Sequence, residues 1–282
     1  MKTFLKWTAR AALTLVGVAA LTVLGAVGAS EAMIRRSWSA PAPSLVAAHD
    51  AGAAARGRRL AARYGCMDCH GAALTGRLFF DQMPVGRIWA PNLTLAAARQ
   101  SDAELARAIR AGVAADGRAL WIMPSEAFSR LSDSETADLI AFVRSEPEAG
   151  APQPASQFGP LGRIGVLAGK FRSAPRQIAE QRALAPADMG PAHARGRALA
   201  RACMECHGVD LKGGSATGAP DLSIAAAYDF GDFDRLMRTG VAAGGRRLGL
   251  MSDVAPLRFA SLAPDEMRAL HDYLKARAGL GN

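Results

Sequence analysis

The chain has 282 residues, of which 50% are hydrophobic and 21% charged, and its formal net charge is +9. This length suits two domains of about 100 residues each better than one small core. The 34 Lys and Arg residues are spread along the chain rather than gathered in a dense basic tract, so a nucleic-acid-binding function is not expected. The high alanine content favours helices, and an all-α fold is predicted.

The N-terminal segment predicts a membrane anchor. Three cations lie within residues 1–10, ahead of an apolar run over residues 11–30. Twenty helical residues span about 30 Å, the thickness of a hydrocarbon core. We predict a cytoplasmic segment over residues 1–10 and a single transmembrane helix over residues 11–30. Small residues at 28–30 leave a cleaved signal peptide as the alternative, and in both cases the rest of the chain is exported.

The pattern Cys-x-x-Cys-His occurs twice and accounts for every cysteine in the chain. It indicates c-type haem attachment, because two thiols one helical turn apart can add to the two vinyl groups of one haem. The histidine that follows lies under the ring and binds the iron. The sequence therefore predicts two covalently bound haem c groups. The cysteines that would form the thioethers are Cys66, Cys69, Cys203 and Cys206. The proximal iron ligands would be His70 and His207.

Three other uses of paired cysteines are less consistent with the sequence. A thioredoxin-like site would lie beside a βαβ pattern, and no β-rich segment is recognisable around either motif. A zinc site built from two Cys-x-x-Cys pairs usually has a gap of about 15–20 residues between them, and the gap here is far longer. Structural disulfides would not explain a histidine at the same place twice.

An internal repeat runs through the chain. Residues 110–123 and 238–251 match at nine of fourteen positions without a gap, and both segments end in methionine. Upstream, an Ala-Pro-(Asn/Asp)-Leu segment occurs at 90–93 and again at 219–222. Each unit is therefore predicted to contain a helix, the haem motif, a proline loop, a short helix, a methionine loop and a terminal helix.

Several residues predict the helical scaffold. Ser132 and Glu135 have the spacing of a capping box, and Pro264 suits the first turn of a helix. Gly57 and Gly196 precede their haem motifs and are expected to let the first and last helices of each unit cross closely.

The distal iron ligands are predicted from the repeat. Met123 and Met251 occupy matched positions, whereas Met83 lies close to His70 and has no counterpart in the second unit. Methionine is more often core filler, and the repeat is what favours ligation here. The other histidines lack such symmetry, and His271 is expected on the surface. Ligation by two histidines is the alternative.

A proline-rich linker is predicted over residues 147–191, where frequent prolines exclude one long helix. Within it, residues 161–171 are mostly apolar and carry two cations. This segment could pack between the two units, lie on the membrane surface or contact a partner subunit.

With a haem motif near the start and a methionine in a late loop, both units resemble class I cytochrome c domains, over residues 54–146 and 192–278. The resemblance implies two tandem all-α domains. It also implies that Pro91 and Pro220 offer their carbonyls to the ring N–H of the axial histidines. The pair behind one anchor resembles membrane-bound dihaem cytochromes c of bacteria, and the cytochrome subunits of periplasmic alcohol, aldehyde and sugar dehydrogenases.

Histidine–methionine ligation fills both axial positions of each iron, and we therefore expect outer-sphere electron transfer. The expected protein is tethered to the inner membrane with its haem domains in the periplasm. Its donor would be a dehydrogenase or a quinol-oxidising complex, and its acceptor another cytochrome or a terminal oxidase. The alternative is a dihaem peroxidase-type enzyme, which needs one haem with an open or displaceable ligand. A sensor has little support because no signalling domain is recognisable.

Overall fold

The computed structural model describes residues 2–214 and 217–279, which form a mainly helical chain with one small sheet. The predicted all-α class is confirmed, with the sheet as an addition. Met1 of the predicted cytoplasmic segment and residues 215–216 of the second unit lie outside the described residues.

The first helix, α1, covers Lys2–Ile34. Within it, Lys6–Ile34 is long and apolar enough to cross a membrane, and its apolar window is not buried against the rest of the protein. The predicted span over residues 11–30 lies inside this segment. Apolar side chains without protein partners along a helix of this length fit a lipid environment or an export signal.

The first repeat unit consists of six helices that follow α1. They are α2 (Ala53–Arg63), α3 (Cys66–His70), α4 (Leu93–Arg99), α5 (Asp102–Ala111), α6 (Ser125–Phe128) and α7 (Asp133–Ser145). The predicted capping box at the start of α7 is present, since the Ser132 side chain accepts from Glu135 N and Glu135 accepts from Ser132 N. Such a box satisfies two N–H groups that would otherwise lack partners at the helix start.

A three-stranded antiparallel sheet belongs to the first unit and the linker. Its strands are β1 (Arg77–Gln82), β2 (Gly86–Ala90) and β3 (Gln157–Phe158), in the order β1-β2-β3. The repeat could not reveal the β1–β2 hairpin, because the described part of the second unit has no counterpart of it. The motif histidine and the loop proline are 21 residues apart in the first unit and 13 in the second. The hairpin takes up that difference.

The linker contains β3 and two short helices, α8 (Pro160–Leu167) and α9 (Ala174–Glu180). No single long helix forms, as its prolines predict. The second unit then repeats the helical order of the first. Its helices are α10 (Ala194–Ala200), α11 (Met204–His207), α12 (Phe230–Thr239), α13 (Leu250–Phe259) and α14 (Pro264–Ala278). A 3-10 turn over Leu222–Ala227 takes the place of α4.

The first and last helices of each unit cross where a glycine leaves room. A Cβ atom on Gly57 would lie 1.9 Å from the carbonyl oxygen of Asp138 in α7, and one on Gly196 would lie 2.1 Å from that of Ala269 in α14. Both distances are far below van der Waals contact. The two glycines therefore allow the close helix crossing that their matched positions predict.

One hydrophobic core runs through both units. Tyr64 and Phe128 of the first unit belong to the same buried cluster as Phe233 and Tyr273 of the second. Two haem-motif cysteines, Cys66 and Cys203, pack against this cluster. The two units are thus joined by buried apolar contacts and not only by the linker.

Replacing either crossing glycine with alanine should separate the helices of that unit. We expect Gly57→Ala and Gly196→Ala each to destabilise the protein by about 1–3 kcal/mol, the usual cost of overpacking. Gly279→Ala is the control, because a Cβ there meets nothing within 4 Å. Thermal unfolding of the haem-loaded protein measures the effect, and midpoints equal to that of the control would contradict the packing argument.

Candidate haem sites

The first motif histidine is buried and its ring is held by a proline carbonyl. His70 ends α3, and its Nδ1 lies 2.9 Å from the carbonyl oxygen of Pro91. Because a carbonyl only accepts, Nδ1 carries the proton and Nε2 keeps a free lone pair. Burial lowers the pKa of His70, and the bond to Pro91 opposes that shift. The imidazole is thus neutral and presents one nitrogen suited to an iron atom.

The second unit repeats this arrangement. His207 is buried at the end of α11, and its Nδ1 lies 2.8 Å from the carbonyl oxygen of Pro220. Burial lowers the pKa of His207, while the Pro220 bond and the nearby Asp221 carboxylate raise it. Two histidines that follow paired cysteines therefore have the same tautomer and the same kind of partner. Their role beside a bound haem stays a prediction.

A helix cap positions the first proline carbonyl. The residue after Pro91 is Asn92, whose side-chain oxygen accepts from Thr94 N at 3.0 Å at the start of α4. Its amide nitrogen donates to Ala149 O at 2.7 Å, which ties the proline loop to the chain that follows α7. Asn92 is buried, so these bonds are shielded from water.

An ion pair has the same role in the second unit. Asp221 follows Pro220 and accepts from Ser223 N at 2.7 Å. Its carboxylate also accepts from Nη1 of Arg277 at 3.0 Å, and the Arg277 side chain is only 6% exposed. The matched Asn and Asp positions were visible in the sequence. Arg277 was not, because it lies more than fifty residues away, near the end of α14.

Sequence reasoning missed one matched pair of residues. Leu74 and Leu211 are fully buried and have positive φ angles of 56° and 63°. Their carbonyls accept from the backbone N–H of Leu93 at 2.8 Å and of Leu222 at 3.0 Å. A left-handed conformation costs a non-glycine residue about 1–2 kcal/mol. In both units this strained leucine ties the haem motif to the proline loop, and the shared spacing His-Gly-x-x-Leu could have revealed it.

The four cysteines are unpaired and largely withdrawn from solvent. Burial raises the pKa of Cys66 and of Cys203 to about 12 and that of Cys69 to about 11. The thiols are therefore protonated at neutral pH. Within residues 2–214 and 217–279, no three His, Cys, Asp or Glu side chains are gathered as metal ligands.

The two candidate distal ligands occupy different local structures. Met123 lies just before the four-residue helix α6, and Met251 lies in the first turn of the ten-residue helix α13. Both are partly buried against the core. The residues by which the Met251–Phe259 segment exceeds its counterpart in the first unit belong to the longer helix α13. Met251 therefore lies in the first turn of a helix and not in the predicted loop. Met83 is 58% exposed on the β1–β2 turn.

The expectation that His271 lies on the surface is wrong. His271 is 3% exposed, and its Nε2 donates to the carbonyl oxygen of Tyr228 at 3.0 Å. Its ring also packs on Phe233, with centroids 4.9 Å apart. His271 lies on the core-facing side of α14. Its polar residue type had suggested a surface position instead. The ring of His271 is buried and its Nε2 is hydrogen bonded, so this residue does not support ligation by two histidines.

A single arginine links the two haem motifs. Arg258 of α13 donates from Nη2 to Asp68 in the first motif at 2.8 Å, and from Nη1 to Glu205 in the second at 2.7 Å. Its side chain is 9% exposed, against 33% for Asp68 and 27% for Glu205. A guanidinium with carboxylates on both sides thus holds the two motifs face to face.

Removing this arginine should weaken the contact between the units. We expect Arg258→Met to destabilise the protein by about 2 kcal/mol, because two partly buried carboxylates lose their partner. The combined change Arg258→Met, Asp68→Asn and Glu205→Gln should recover most of that loss, since no unpaired charge remains. Arg247→Met is the matched control, because Arg247 and Asp253 form an ion pair that is 64% exposed on both sides. Unfolding midpoints of the haem-loaded variants test this, and a triple variant as unstable as the single one would contradict it.

Comparison with known proteins identifies the family. The family described as "Cytochrome c" matches residues 54–146 and 193–278. The fructose dehydrogenase cytochrome subunit of Gluconobacter japonicus is 26% identical over 257 residues, covering 78% of this chain and 52% of the relative. A nicotinate dehydrogenase subunit of Pseudomonas putida is 30% identical over 164 residues, covering 52% of this chain and 14% of the relative. The chain thus spans about half of the first of these proteins and a small part of the second. It belongs to the cytochrome c family, whose domains carry covalently bound haem c.

Proposed function

We propose that this protein is a membrane-tethered dihaem cytochrome c that carries electrons. The observation that supports this most directly is the repeated site geometry. In each unit a buried histidine follows two neutral cysteines and donates its Nδ1 proton to a proline carbonyl. Both units therefore present an equivalent Nε2 beside an equivalent pair of thiols, which suits one haem in each unit.

The proposal assigns a role to each site residue. The thioether bonds would form at Cys66, Cys69, Cys203 and Cys206. The iron ligands would be His70 with Met123, and His207 with Met251. The proline carbonyls that orient the histidines would be those of Pro91 and Pro220. When bound, each haem supplies a one-electron iron couple, and the protein sets the position, burial and axial electronics of that couple.

Two features of the chain support transfer between the two sites. Arg258 joins the motif residues Asp68 and Glu205, so the two attachment segments lie next to each other. Buried residues of both units also belong to one hydrophobic core. A contact of this kind holds the two sites at a constant separation, whereas a flexible linker alone would not.

The proposed location is the inner membrane, with the haem domains in the periplasm. The apolar segment Lys6–Ile34 supports a single span, and the cations ahead of residue 11 support a cytoplasmic N-terminus. The proposed organisation is a cytoplasmic segment over 1–10, an anchor over 11–30, haem domains over 54–146 and 192–278, and a linker over 147–191.

The names of the relatives suggest the kind of partner. Both are subunits of dehydrogenases. We therefore propose that a dehydrogenase or quinol-oxidising complex donates electrons, and that another cytochrome or a terminal oxidase accepts them. The chain would then be the electron-transfer component of such a system and would not itself bind the substrate that the dehydrogenase oxidises.

Near-infrared absorption of the oxidised protein tests the ligands. Ferric iron bound to a methionine sulfur has a weak charge-transfer band in this region. We expect Met123→Ala and Met251→Ala each to remove about half of the band, because each variant loses one of two sulfur ligands. Met83→Ala is the matched control, since Met83 is exposed on the hairpin turn, and it should leave the band unchanged.

Two results would contradict the assignment. A high-spin signal in the unaltered protein would mean that one iron has an open position, which favours the peroxidase-type enzyme. A methionine variant that keeps the full band would mean that its residue is not a ligand. Haem content measured in each sample separates a lost ligand from a lost haem.

A further inference from the structure

We propose that α8 and the adjacent Phe171 lie in the periplasmic interface of the lipid bilayer and form a second membrane contact beside α1. The inference rests on the proposed function in one respect, that α1 stays attached as the anchor. It goes further because it assigns a lipid-facing surface to the linker and a defined orientation to the first haem domain.

The height of α8 relative to the membrane follows from its contacts with α1. Arg163 donates from Nη1 to Ser30 Oγ at 3.0 Å and from Nη2 to Glu31 Oε2 at 2.7 Å. Ser30 is fully buried by this packing. Because the apolar run ends at Ser30 after about 30 Å of helix, this residue marks the outer edge of the hydrocarbon core. Arg163 therefore holds α8 at that edge.

One face of α8 is used by the protein and the opposite face is apolar and uncovered. Val166 is fully buried, and a Cβ on Gly162 would lie 2.2 Å from Val85 O, so this side packs on the first unit. On the other side, Leu161, Ile164 and Leu167 recur at three-residue spacing and are 52%, 59% and 38% exposed. At this spacing the three side chains share one stripe of a helix.

Phe171 extends that stripe. Its ring packs over Gly165, and its N–H donates to Gly165 O at 3.0 Å, so it folds back onto α8 while remaining 38% exposed. We call Leu161, Ile164, Leu167 and Phe171 the apolar stripe. Four large apolar side chains at the end of a membrane-spanning helix form a surface that the acyl boundary of the bilayer can cover.

The charge of the segment fits the same partner. Residues 149–179 contain no Asp or Glu, while Arg163, Lys170, Arg172 and Arg176 lie among them. Glu180 pairs with Arg172 and Arg176 at the far end of α9, and Lys170 stands directly beside the stripe. A cation next to an apolar stripe matches the anionic headgroups and acyl chains of a bilayer interface.

Further contacts make the junction rigid. Trp121 Nε1 donates to Ile34 O at 3.2 Å, and Trp38 N donates to Gly117 O at 2.9 Å, so the end of α1 is held on the first unit. The sequence left three positions open for the 161–171 segment: between the two units, on the membrane surface or against a partner subunit. The structure places α8 against α1 and against the strands β2 and β3. With α1 and α8 both at the membrane, the first haem domain has one orientation toward its partners.

Crosslinking to lipid tests the proposal on the full-length, haem-loaded protein. The protein is placed in nanodiscs of phosphatidylethanolamine and phosphatidylglycerol that contain a phospholipid with a diazirine in its acyl chain. After irradiation, mass spectrometry locates the modified peptides. We expect lipid adducts within residues 160–171 as well as within α1. The exposed leucine at 257 in α13, which is 68% exposed, should remain unmodified.

Substitutions sharpen the test. Ile164→Glu should reduce the adducts in residues 160–171 several-fold while leaving those in α1 unchanged. Ile224→Glu is the matched control, because Ile224 is 53% exposed but belongs to the second unit, and it should change neither.

Each other outcome overturns the proposal in a distinguishable way. Adducts confined to α1 would mean that the apolar stripe does not face lipid. A lack of adducts in α1 would remove the anchor and this inference together. The haem content and near-infrared band of the same sample report separately on the electron-transfer part of the proposed function.

Discussion

The hydrogen bond between a buried histidine ring and a proline carbonyl is the contact on which each unit is organised. It selects the tautomer with the proton on Nδ1 and leaves the lone pair of Nε2 free to bind iron. Its geometry depends on Asn92 and Asp221, the residues that follow the two prolines, whose side chains cap the helical turns that come next. It also depends on the strained leucines that tie each motif to its proline loop. Strain and buried polar groups cost stability, and the shared core offsets that cost.

Joining the two units is a separate problem from building each one. Charged groups at a contact are expensive to remove from water, and here one arginine serves two carboxylates, one from each haem motif. A guanidinium with two partners favours the relative placement of the motifs that satisfies both of them. Apolar residues of both units then close around this contact. The result is a fixed distance between the two candidate haem sites, which a carrier with two redox centres needs.

The contact between α1 and the rest of the chain also has a fixed geometry. A single span with a flexible connection would let the haem domains sample many orientations. Here Arg163 of α8 and Trp121 of the first unit bind the last turns of α1, so a membrane-embedded α1 would fix how that unit faces the bilayer. The segment between the units therefore does more than connect them, because α8 packs on the end of α1.

The sequence by itself determined the features that rest on local spacing and on the repeat. Paired cysteines before a histidine define the haem motif within five residues, and the match of residues 110–123 with 238–251 identifies equivalent methionines. The capping box at Ser132 and the crossing glycines are local in the same sense.

Only the tertiary structure decided the rest, because those contacts join residues that no local pattern connects. Arg258 meets Asp68 across 190 residues, Arg277 reaches Asp221, and His271 turns into the core. Within residues 2–214 and 217–279, the hairpin and the docking of α8 on α1 each occur once, so the repeat could not reveal them. Their positions depend on packing that forms only when the whole chain has folded.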